Sequence, residues 1–198
     1  MKMASIMTNA AVFAITAFFT ICFFRKDGRW DTGRGRKAFR FFTCQSNVFC
    51  ATAALLTAVS QLTGSLPDWI WILKYIGTAA VTVTMMTVLL FLGPVYGYEA
   101  VMKHESDLFM HLLTPLMALV SFCVFEKRGM SFGVSMLGLL PVVLYGGLYL
   151  YKTVYAPEGK RWEDFYAFNR TGKWPLSFAA MLAGSFLICL GIMALQNI

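Results

Sequence analysis

Residues 176–195 read LSFAAMLAGSFLICLGIMAL, twenty positions without one charged side chain. A helix rises 1.5 Å per residue, so this stretch covers about 30 Å, the thickness of a bilayer's hydrocarbon core. A strand of a membrane barrel would be about half as long and would alternate apolar with polar residues. This stretch does neither, and it reads as a transmembrane helix, which satisfies its own backbone in lipid. Five more runs precede it, at 4–24, 41–62, 69–95, 108–125 and 130–151. Each is longer than 17 residues and is bounded by charge, Gly or Pro. The run at 69–95 is interrupted by Lys74 and ends at Gly93-Pro94. The expectation is an all-α, polytopic membrane protein of six transmembrane helices, one domain over residues 1–198.

Composition agrees. Hydrophobic residues make up 58% and charged residues only 14%. A soluble domain carries about a quarter charged residues, so this chain has too few to cover a globule. Aromatics reach 16%, with 18 Phe, which suits lipid-facing helices and interfacial belts. The net charge of +7 does not signal nucleic acid, because the basic residues lie in short loops between apolar runs. There they set topology and touch anionic headgroups. Cys22, Cys44, Cys50, Cys123 and Cys189 form no C-x-x-C pair, so they read as small buried hydrophobes rather than a disulfide or zinc framework. The first run lacks a small-residue cleavage site and is read as a retained span. Small residues such as Gly77, Ala80, Thr84, Gly184 and Gly191 are expected to allow close helix contacts.

The loops at 25–40, around Lys103 and at 152–175 share one face of the membrane. They hold thirteen of the seventeen Lys and Arg residues. The positive-inside rule puts these loops in the cytoplasm and both termini outside. In a bacterium the membrane would be the cell's inner membrane.

Polar residues are costly in a span, so they mark where chemistry lies. The run at 41–62 opens with Phe41-Phe42-Thr43-Cys44-Gln45-Ser46-Asn47, and Thr43, Ser46 and Asn47 share a helix face. His111, one of two histidines, opens the fourth run in His111-Leu112-Leu113-Thr114-Pro115. Both runs start from loops on the same side. Thr43 lies three residues past Arg40 and His111 four past Asp107, so both are expected about one turn inside the interface. A threonine hydroxyl becomes nucleophilic when a base takes its proton, and a neutral imidazole suits that role. Thr43 would then attack an ester, with Asn47, Gln45 or Ser46 donating to the oxyanion. The bland alternative stands beside it: a membrane Thr commonly bonds back to its own helix.

These two stretches resemble the androgen-induced and androgen-dependent TFPI-regulating proteins and their bacterial six-span relatives. The likeness rests on an aromatic-T-x-Q-S-N stretch opening span two and an H-x-x-x-P stretch opening span four. It implies a six-span threonine hydrolase of fatty acid esters of hydroxy fatty acids, with Thr43 as nucleophile, His111 as base and no cofactor. The substrate would be a long-chain lipid ester drawn from the membrane.

Two other readings compete. His104, Asp107 and His111 are spaced three and four apart and would line one face if the fourth helix begins early. Such a face could offer metal ligands, completed by Glu99 or Asp164, for a zinc-activated water. A non-enzymatic binding or transport role is the other, with the polar ends of spans two and four lining a cavity. The loop at 152–175 interleaves Trp162, Phe165, Tyr166, Phe168 and Trp174 with Lys160, Arg161, Arg170 and Lys173. It reads either as an interfacial amphipathic segment or as a lid and carboxylate clamp over the site.

Overall fold

The structure is a computed structural model and describes residues 1–169 and 172–198. Six helices are long and apolar enough to cross a membrane: span 1 (Lys2–Phe23), span 2 (Phe42–Thr63), span 3 (Asp68–Tyr96), span 4 (Glu105–Phe125), span 5 (Phe132–Tyr155) and span 6 (Trp174–Asn197). The chain is a multi-pass, all-α membrane protein. Arg170, counted above among the basic loop residues, lies outside the described residues.

Span 3 is the hub. It packs against spans 2, 4, 5 and 6, while span 1 lies on spans 2 and 4. Midway along span 3 the buried residues Gly77, Thr78, Ala79 and Ala80 are small. At Gly77 an added Cβ would stand 2.8 Å from the Cys50 Cα of span 2, so only glycine allows this approach. In span 6 the expectation fails: nothing lies within 4 Å of a Cβ at Gly184 or Gly191. Gly184 instead borders a cavity.

Several helix limits differ from the sequence reading, each for a local reason. Span 3 does not end at Gly93-Pro94 but runs on to Tyr96. A widened π-type turn at Val88–Leu92 precedes Pro94 and relieves the clash its ring would make with the preceding turn. Gly97, at φ +88°, then stops the helix. Span 4 starts early, at Glu105, because the Asp107 carboxylate accepts the His104 backbone N–H at 2.9 Å and caps the first turn. Span 5 starts at Phe132, where the Ser131 hydroxyl accepts from the Val134 N–H.

Two charged residues, Lys74 and Glu126, lie inside the bundle. Lys74 is fully buried, and Glu126 is only 4% exposed. One Glu126 carboxylate oxygen accepts from the Ser5 hydroxyl at 2.8 Å, the Asn9 amide at 2.6 Å and the Ser121 hydroxyl at 2.7 Å. The Trp71 indole N–H donates to the Glu126 carbonyl at 2.8 Å. This polar knot joins spans 1, 3 and 4 at the end of the bundle that carries the termini.

Candidate active site

The opposite end of the bundle holds the Thr43 stretch. Phe41 is the N-cap of span 2 and has extended backbone. The first N–H groups of a helix have no partner within it. Here the Phe42 N–H finds one far away in sequence, donating to the Tyr166 phenol oxygen at 3.0 Å. Tyr166 belongs to the loop between spans 5 and 6. Thr43 follows Phe42 along the helix, and it and Tyr166 line the same cavity.

Thr43 does not bond back to its own helix, as Thr52, Thr57 and Thr82 do. The carbonyl one turn before it, Phe39 O, is taken by the Gln45 amide at 2.7 Å. Thr43 lines a cavity of about 820 Å³ among spans 2, 3, 5 and 6, within the size range of small-molecule sites. The end near Thr43 is polar, with Tyr145, Tyr149 and Tyr166; the body is apolar, with Val83, Met181 and Ile188. Along span 6 the lining runs from Leu176 to Ile188, about 18 Å of helix rise. Leu90, Phe91, Leu176 and Leu187 border the cavity and are themselves exposed on the outer surface of the bundle. The cavity therefore opens sideways between spans 3 and 6, toward the region that lipid occupies.

The three residues expected to donate to an oxyanion are engaged elsewhere. Gln45 binds Phe39 O. The Ser46 hydroxyl pairs with the Thr84 hydroxyl at 2.9 Å and with Thr43 O at 3.2 Å. The Asn47 amide donates to Thr43 O and to Met110 O, both at 2.9 Å. They brace the start of span 2, and Asn47 ties it to span 4 beside His111.

His111 lies in a π-type turn, Phe109–Leu113. Pro115 explains it. Proline has no N–H for the His111 carbonyl four residues earlier, and its ring crowds that carbonyl, so the turn widens. The imidazole Nδ1 is 3.0 Å from Val101 O. A carbonyl can only accept, so Nδ1 carries the hydrogen and, in the neutral ring, Nε2 presents its lone pair. The structure thus brings the backbones of spans 2 and 4 together at Asn47 and Met110. It does not join the two side chains: no hydrogen bond links Thr43 to His111, and His111 is not among the cavity's lining residues.

Asp164 and Asp107, named above as metal-ligand candidates, are engaged elsewhere. Asp164 accepts from the Tyr149 hydroxyl and the Phe168 N–H at 2.8 Å, and from the Asn169 N–H at 2.7 Å. Asp107 caps span 4. Among the described residues no three His, Cys, Asp or Glu side chains are grouped to hold a metal, so the donor set for the zinc reading is not assembled.

The sequence reading took the loop holding Tyr166 as an interfacial segment or a lid over the site, and missed that its phenol accepts the Phe42 N–H beside Thr43. Loop residues that pack on a site more than a hundred positions away leave no periodic signal. The one available hint was the density of aromatics in a loop on the same membrane face. The chain matches no family model, no curated protein and no solved structure.

Proposed function

We propose that this protein is an intramembrane hydrolase of long-chain lipid esters, with Thr43 as nucleophile and His111 as general base. One observation carries the reading: Thr43, whose hydroxyl is not bonded back to its own helix, lines the polar end of an otherwise apolar, laterally open cavity. A substrate with one long acyl chain would lay that chain along span 6 and present its ester to Thr43. The Nδ1 hydrogen bond to Val101 O leaves Nε2 of His111 as the acceptor a general base needs. In the reactive complex Nε2 must close on the Thr43 hydroxyl, and catalytic hydrogen bonds often tighten only then. The resemblance of residues 41–47 and 111–115 to the androgen-induced and androgen-dependent TFPI-regulating proteins supports the same pair and suggests fatty acid esters of hydroxy fatty acids as substrates.

A second reading is a lipid-binding or carrier protein. It is favoured by the separation of His111 from the cavity. Hydrolysis of a fatty acid–hydroxy fatty acid ester by purified wild type, Thr43→Ala and His111→Ala decides between them. The hydrolase reading expects each substitution to lower kcat/KM by about 10³-fold or more. Equal rates in all three, with the ester still bound, would leave only the carrier.

A further inference from the structure

We infer that Tyr166 is a catalytic residue of this site, its phenol O–H donating to the oxyanion that forms when Thr43 attacks an ester; this rests on the hydrolase reading.

The inference comes from following every hydroxyl hydrogen at the polar end of the cavity. Three tyrosines stand there. The Tyr145 hydroxyl donates to Arg40 O at 2.6 Å. The Tyr149 hydroxyl donates to Asp164 Oδ1 at 2.8 Å. Both hydrogens are held by acceptors that belong to the fold. The Tyr166 oxygen accepts from the Phe42 N–H, and among the described residues no carbonyl or carboxylate takes its hydrogen. Tyr166 lines the same cavity as Thr43 and Tyr145, and Thr43 directly follows the residue whose N–H the phenol oxygen holds. Gln45, Ser46 and Asn47, the donors expected from sequence, are already committed. Tyr166 is thus the side-chain donor left for charge that develops next to Thr43.

Its placement is built rather than incidental. Asp164 gathers the Tyr149 hydroxyl and the Phe168 and Asn169 N–H groups, which shapes the loop around Tyr166. The Tyr166 N–H donates to the Tyr149 oxygen at 3.1 Å. Its ring lies 4.7 Å from Phe165, 5.2 Å from Tyr149 and 6.4 Å from Tyr145. Burial pushes the phenol up to about 12, so it keeps its hydrogen throughout the neutral range. An N–H donated to its oxygen polarises the O–H and strengthens it as a donor.

The step balances. His111 Nε2 takes the Thr43 proton as Oγ bonds to the ester carbon, and the carbonyl pair moves onto oxygen, where the Tyr166 O–H meets it. The pair returns, the alkoxide leaves with the proton from His111, and an acyl-Thr43 ester remains. Water repeats the sequence, releases the fatty acid and restores the Thr43 hydroxyl.

The test is Tyr166→Phe, which keeps the ring and deletes the donor. Four quantities are read beside wild type and Thr43→Ala: kcat and KM for the ester, the rate of labelling by a long-chain fluorophosphonate, the binding of an uncleavable ether analogue, and the melting temperature. Loss of an oxyanion donor lowers rates by about 10²–10³-fold. The expected result is that fall in kcat and in labelling, with KM and ether binding within about threefold of wild type. Two results overturn the inference alone. One is Tyr166→Phe turning over within twofold of wild type while Thr43→Ala is inactive. The other is a loss of kcat matched by lost ether binding or a collapsed melting temperature, which makes Tyr166 a structural cap. If wild type fails to hydrolyse the ester, or Thr43→Ala equals it, the hydrolase reading falls and the role of Tyr166 with it.

Discussion

At the scale of single residues, the fold depends on polar groups that a hydropathy reading passes over. Glu126 is followed by Lys127-Arg128-Gly129 and looks like part of a solvated turn. Its carboxylate is instead the acceptor that three donors from spans 1 and 4 share. A buried donor left without a partner costs about 1–3 kcal/mol. Glu126→Ala leaves Ser5, Asn9 and Ser121 facing an emptied space, so it should lower stability in detergent by about 3 kcal/mol or more. Denaturant or thermal unfolding reads this directly, and unchanged stability would show that the knot holds nothing together. Thr43 and His111 were legible because polar residues at the start of an apolar run stand out against their neighbours. The partners that define their settings were not. Tyr166 and Val101 reach them through folding, and no spacing along the chain announces that.

At the scale of elements, prolines shape the helices more than glycines do. Pro94 and Pro115 each follow a widened π-type turn, and Pro115 fixes the one that contains His111. The H-x-x-x-P spacing thus has a mechanical meaning, since the proline withholds the N–H that would otherwise bind the histidine's own carbonyl. Pro115→Ala returns that N–H and lets the turn tighten to α. The imidazole then rotates away from its hydrogen bond with Val101. On the proposed hydrolase reading, the expected outcome is a protein at least as stable as wild type but with much lower ester turnover, read from a melting curve and a turnover assay on the same sample. Equal activity would mean that the wide turn does not set the position of His111. The existence of all six spans was readable, because apolar runs of this length, even the one that holds Lys74, satisfy their backbone in lipid as helices. Their ends were less so. Capping by Asp107 and Ser131, and the passage of span 3 through Gly93-Pro94, depend on backbone geometry that hydropathy does not record.

At the scale of the whole molecule, the two ends of the bundle differ in kind. One carries the Glu126 knot beneath the termini. The other carries Thr43, the aromatic loop between spans 5 and 6 and most of the basic residues. The positive-inside rule predicts that the Thr43 end faces the cytoplasm. Reporter domains fused to either terminus should therefore behave as extracytoplasmic, and a single cysteine introduced at Lys103 should resist membrane-impermeant labelling in intact cells. Labelling at Lys103 with cytoplasmic termini would invert the topology, while Thr43 and Tyr166 would stay together in either orientation.

The side opening between spans 3 and 6 carries a consequence for how such a protein counts its ligand. A molecule that enters between Leu90, Phe91, Leu176 and Leu187 arrives from the plane of the bilayer, not from water. What governs occupancy is then its mole fraction among the surrounding lipids. Diluting the vesicles with buffer would leave the rate per protein unchanged, whereas diluting the same substrate with inert phospholipid would slow it. On the proposed reading, the working concentration of this site would be measured per unit area.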